Sequence, residues 1–209
     1  MKSPSGFTLI ELMLTLTVAA VLMMIAAPSF REFLQNSRMS AQVNLFISDL
    51  NIARSEAVKR RARVTMCKSS TLTSCTTSGG WEQGWIVFMD ADGDGTVGSS
   101  DIVLRTQGPV GGDLTIRGNS NVQNRVSFFD SGDVRVSGAL IFCDARIQTF
   151  SADKDKARAI IISQPGRIRS VKGIGLTHEV QANAKPCWFR PSVQTQAMRM
   201  DGFLSSSFI

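Results

Sequence analysis

The sequence predicts an α+β fold, with one long N-terminal helix packed on an antiparallel β-sheet domain. Three observations predict it. From residue 7 to residue 63 the chain reads as one helix, apolar on all sides at first and amphipathic afterwards. From residue 64 to residue 172, short runs rich in β-branched and aromatic residues alternate with Gly, Ser, Asp and Pro turns. No second long helical pattern interrupts those runs, so the strands are expected to pair antiparallel. Composition agrees: 43% hydrophobic and 19% charged residues in 209 suit one compact domain and exclude wholesale disorder.

The helix opens on an apolar segment. Between Leu12 and Ala27 there is no charge, and Thr15 and Thr17 are the only polar residues. A helix over 7–27 is about 30 Å long, the hydrocarbon thickness of a bilayer. Glu11 interrupts the segment near its start. A carboxylate at the centre of a membrane helix costs roughly 2.5–3.5 kcal/mol, so a plain anchor leaves Glu11 unexplained. A secretory signal peptide ending at Ala27 fits poorly, because Ile25 is large where a small residue is needed.

Residues 28–63 continue the helix. Arg31, Arg38, Gln42, Asp49, Glu56 and Arg60 recur by sevens and fours and are expected to line one polar face. The remaining surface is broadly apolar, so it should meet more than one neighbour. Pro28 is expected to kink the helix at the membrane surface. Lys59, Arg60, Arg61 and Arg63 suit its C-terminal end, where the helix dipole favours positive charge.

Eight strands are expected over 64–68, 84–89, 102–106, 114–117, 125–129, 139–143, 157–163 and 167–172. Between the second and third lies Asp90-Ala-Asp-Gly-Asp-Gly. Asp90, Asp92, Asp94 and Asp101 fall at positions 1, 3, 5 and 12 of a calcium-loop spacing, with Gly95 at position 6. Position 12 is Asp rather than the bidentate Glu, and a strand rather than a helix precedes the loop. A plain hairpin turn is the competing and favoured reading. No other cofactor is expected.

The formal charge is +6, and nearly all of the excess lies late in the chain. Residues 157–209 hold seven Lys and Arg against Glu179 and Asp201. A polyanionic partner is therefore sought there, against the alternative of a solvated basic surface. Pro165-Gly166 fits the centre of a type II turn joining the last two strands. Arg167 and Arg169, two apart, should leave the final strand on one face, with Ile168 turned to the core. Side-by-side guanidiniums suit successive phosphates, although charges on an edge strand also deter pairing with other strands. Lys172, Lys185, Arg190 and Arg199 could extend the basic surface, and Trp188 and Phe189 could stack bases or pack the tail. Catalysis is not expected: the single His178 stands beside Glu179 with no nucleophile motif.

The opening Gly6-Phe-Thr-Leu-Ile-Glu-Leu12 resembles the class III leader of type IV pilins and type II secretion pseudopilins. Trp81-Glu-Gln-Gly-Trp-Ile-Val-Phe-Met-Asp-Ala-Asp-Gly-Asp-Gly95 and Phe128-Phe-Asp-Ser-Gly132 resemble the globular domain of the GspH/FimT minor pilins, and Gly166-Arg-Ile-Arg169 resembles the G-R-x-R motif of DNA-binding members. The resemblance covers about residues 1–172. It implies a pilin-like fold with a leader over 1–6, a helix over 7–63 whose segment 7–27 spans the membrane, a β-rich domain over 64–172 and a tail over 173–209. It also implies cleavage after Gly6, methylation of the new Phe7 amine, and a Glu11 that pairs with that amine and sets subunit register. Implied partners are prepilin peptidase, other major and minor pilins, DNA, and the inner membrane before assembly. The globular part would face the periplasm, where disulfides form. Cys67–Cys75 is then the local bridge, and Cys143–Cys187 would staple the tail to the sheet. Implied function is non-specific DNA capture for natural transformation; a structural pseudopilin or pilus-priming subunit is the alternative.

Overall fold

The computed structural model describes residues 6, 8–144, 146–147 and 156–173. One helix, α1 (Leu9–Arg60), runs 52 residues without a break at Pro28. Thr8 caps its first turn, its hydroxyl accepting the Glu11 N–H at 3.3 Å. Thr-Leu-Ile-Glu is thus a capping-box sequence, and Glu11 lies in the first turn, where a carboxylate suits the helix dipole. The hydroxyls of Thr15 and Thr17 donate to Leu12 O and Leu14 O at 2.9 and 2.8 Å, so neither enters a membrane unsatisfied. Among the described residues the large apolar side chains from Leu9 to Leu34, such as Leu9, Met24 and Phe33, are exposed. At the other end Arg61 takes a left-handed φ of 51° and Ala62 N–H returns to Ala57 O at 3.2 Å, which stops the helix before residue 63.

The strands are β1 (Val64–Lys68), β2 (Trp85–Met89), β3 (Ile102–Gln107), β4 (Thr115–Gly118), β5 (Arg125–Phe128), β6 (Gly138–Cys143), β7 (Arg158–Ile162) and β8 (Ile168–Lys172). They form two antiparallel sheets, ordered β3-β2-β1-β5 and β4-β6-β7-β8. Each predicted run carries one strand, displaced by a residue or so at its ends.

The C-terminal half of α1 lies over both sheets. Met39, Val43, Phe46, Leu50, Ala53 and Ala57 meet Met66, Trp85, Val87 and Phe128 of one sheet and Ile116, Leu140, Phe142 and Ile160 of the other in a single core. Phe46 is its centre, with edge-on contacts to Trp81, Trp85 and Phe142 at centroid distances of 5.4, 4.8 and 5.5 Å. Asp49 departs from the expected polar face. It is fully buried in this seam, accepting the Trp85 indole N–H at 2.7 Å and pairing with Arg105 Nε at 2.6 Å. It stands three residues after Phe46 and four before Ala53, so it shares the face of the packed stripe. Arg31 and Arg38 are exposed as expected.

The outer face of the first sheet is roofed as well. Cys67, Ile86 and Phe88 pack under Cys75 and Val97, so β1 is buried along its whole length. Cys67 and Cys75 are bonded, with Cα atoms 5.7 Å apart. Lys68, buried alongside, donates its ammonium to Thr77 O and Gly79 O at 2.9 and 2.8 Å, tying down the same loop.

Candidate nucleic-acid interface

The β7–β8 hairpin is closed by a three-residue loop rather than the expected two-residue turn. Ile162 pairs with Ile168, Ser163 N–H donates to Arg167 O at 3.0 Å, and Gly166 N–H donates to Ser163 O at 2.8 Å. Gln164 and Pro165 are therefore the central turn residues, and Gly166, at φ 73°, follows them in the left-handed region. A proline at the second central position, not the first, is what the Pro-Gly signature failed to reveal.

The loop is fastened from below. Arg54 of α1 donates from Nε to Gly132 O at 2.9 Å and from an amino group to Pro165 O at 3.0 Å. Val134 N–H donates to Gln164 O at 2.8 Å. The hairpin tip thus rests on the loop at Gly132 and Val134, and both are tied to the helix. A Cβ on Gly166 would sit 1.9 Å from Gly132 O, so this contact admits glycine alone. Nothing in the sequence marks Arg54 among the many arginines of the helix; its role follows only from where the two loops arrive.

Arg167 and Arg169 are exposed, and Ile168 between them packs on the core. Lys172 is exposed too, but strand alternation puts it with Ile168 and Ser170, on the face opposite Arg167 and Arg169. β8 is an edge strand. Lys185, Arg190 and Arg199 lie outside the described residues, as do Phe7, Trp188, Phe189 and His178. Cys143, at the end of β6, is disulfide-bonded; Cys187, its expected partner, lies outside the described residues. Gly6 is exposed just ahead of the helix cap.

The acidic loop is organised by protein groups. Asp90, Asp92 and Asp94 converge. Asp90 accepts the Thr65 hydroxyl at 2.7 Å and the Gly95 N–H at 3.3 Å, and Arg63 stands 3.7 Å from it while donating to Gly93 O. Asp101, the twelfth calcium position, is spent on Ala91 N–H and Gly98 N–H at 2.9 and 2.8 Å. Arg125 donates to Asp94 O and Gly95 O at 2.9 and 3.2 Å. The N–H and hydroxyl of Thr96 hold the Asp94 carboxyl below the usual range. Two guanidiniums on the loop carbonyls and a set of Asx turns thus order the segment as a hairpin turn.

Sequence comparison adds two matches. The family described as "Type II transport protein GspH" matches residues 42–166, and the "Prokaryotic N-terminal methylation motif" matches residues 1–27. No curated protein matches the chain significantly. Among solved structures, the Pseudomonas aeruginosa type IV minor pilin FimU superimposes with a TM-score of 0.50 at 20% identity, covering 73% of this chain and 96% of that one. The minor pseudopilin EpsH of the Vibrio cholerae type 2 secretion system gives 0.44 at 11% identity, covering 65% and 97%.

Proposed function

Starting from the fact that the chain belongs to the GspH family, and is thus a membrane-anchored, non-enzymatic minor pilin or pseudopilin of a type IV pilus or type II secretion system, we propose that it is a pilus subunit that captures DNA. Before assembly it sits in the inner membrane with its globular domain in the periplasm. Prepilin peptidase cuts after Gly6, the Phe7 amine is methylated, and Glu11 pairs with that amine as the helix joins those of other pilins. Arg167 and Arg169 then grip DNA phosphates without reading sequence, in the service of DNA uptake.

The observation that carries the DNA reading is the fastened hairpin. Arg54 and the glycine contact hold the tip rigid, and two exposed guanidiniums project from one strand face beside it. Pre-positioned arginines lose less freedom on meeting phosphates than arginines on a loose loop. Among the described residues Lys172 contributes only long-range attraction from the opposite face; Lys185, Arg190 and Arg199 are proposed as added contacts from the tail.

The test is duplex DNA binding by the full chain in detergent micelles across a salt series, with and without the double change Arg167→Ala and Arg169→Ala. Loss of two phosphate contacts should lower affinity at least about tenfold and reduce the salt slope by about 2. Undiminished binding by the double variant would remove the hairpin from the interface. Absence of binding by the unaltered chain would favour the structural pseudopilin role that the family description allows.

A further inference from the structure

A second basic feature lies beside the hairpin, on the edge of the other sheet. β5 is an edge strand, and the chain returns past it over residues 134–136 without joining the sheet. Between them is a cleft of about 210 Å³. It is lined by Arg63, Arg125 and Arg135 and by the apolar Val122, Val126, Val134 and Val136, and no carboxylate lines it among the described residues. Phe129 closes one side, with the Arg135 and Arg63 guanidiniums 4.5 and 4.9 Å from its ring centroid. Arg63 is balanced by Asp90, and Arg125 is directed at loop carbonyls; Arg135 is exposed and has no carboxylate within salt-bridge distance among the described residues.

We propose that this cleft receives one unpaired nucleotide of a DNA strand, its base against the Arg135 guanidinium and the apolar wall and its phosphate toward Arg125. This rests on the reading that the chain binds DNA, and it adds a preference that the hairpin alone cannot supply. Phosphates are offered alike by single strands and duplexes, whereas a base enters a recess only when it is out of its stack. An ammonium or a solvated arginine would suffice for a phosphate. A planar cation held on a ring beside aliphatic side chains is the surface on which bases stack. The cleft is also continuous with the hairpin: the Gln164 amide donates to Arg135 O at 3.2 Å, next to the turn that carries Arg167. A strand gripped at Arg167 can therefore run on into the cleft.

The test compares an oligothymidylate with a duplex of equal length, at one salt concentration, by fluorescence anisotropy with the full chain in micelles. Arg135→Ala should weaken the single strand about tenfold and the duplex by less than about twofold. Arg135→Lys should weaken the single strand as well, because it keeps the charge and loses the plane. Equal losses on both forms, or full rescue by Lys, would reduce the cleft to general electrostatics and overturn the proposal. Retention of wild-type single-strand binding by Arg135→Ala, with binding still lost in the Arg167/Arg169 variant, would refute the cleft and spare the hairpin. A chain that binds neither form refutes both.

Discussion

Gly166 decides whether the hairpin tip can reach its seat. Its positive φ and its approach to Gly132 O leave no room for a side chain, while Arg54 beneath donates to carbonyls on both loops. Gly166→Ala should destabilise the fold by about 1–3 kcal/mol, combining a left-handed alanine with a displaced backbone contact. Thermal melting measures the loss, and faster amide exchange at Ser163 and Gly166 would localise it. A melting temperature unchanged within error would mean that the tip relaxes freely and is not held by this contact. The same scale shows a charge used for packing. Asp49 lies inside the seam with the Trp85 indole hydrogen-bonded to one oxygen and the Arg105 guanidinium ion-paired with the other, so its burial depends on two partners from β2 and β3 that only folding brings to the helix.

At the scale of elements, alternation made the strands legible. Arg125-Val-Ser-Phe places Val126 and Phe128 inward, and that pattern survives in the structure. β1 is buried at every position, since a roof covers its outer face, yet its β-branched run was still readable as a strand. What alternation cannot convey is who meets whom. The spacing of Asp49 resembles that of its exposed neighbours, the turn at Pro165 is fixed by a hydrogen bond to Ser163, and Arg54 acquires its role from loops more than seventy residues away. Arg167 and Arg169 were legible as a pair because two-residue spacing is local; the Phe129 and Arg135 stack was not, because it depends on the course of the chain after β5. The roof itself is testable. The Cys67–Cys75 bridge closes a loop with a sequence separation of 8. Replacing both cysteines by serine should lower stability by about 2–3 kcal/mol in the chain-entropy account. Denaturant melts would show it, and a loss below about 0.5 kcal/mol would mean that Lys68 and the loop's own hydrogen bonds already hold the roof.

The whole molecule divides its helix between two solvents. The core takes its first helical residue at Met39, and large apolar side chains from Leu9 to Leu34 stand exposed. Stability and anchoring therefore reside in different halves of one element. Removing residues 1–30 should leave the melting temperature of the globular part within about 2 °C and abolish the need for detergent, because among the described residues the deleted segment adds none to the core. Calorimetry of the shortened and full chains tests this. A drop of ten degrees or so would show that the exposed half supports the domain after all.

The Arg54 clamp has a mechanical meaning for a subunit embedded in a filament. The helix that would lie along the filament axis is bonded directly to the loop that presents Arg167. Tension on a strand held at the hairpin would pass through Pro165 and Gly132 into that helix in one step, without loading the sheet hydrogen bonds in series. Such a short load path would let the grip bear a pull while the domain behind it stays unstretched.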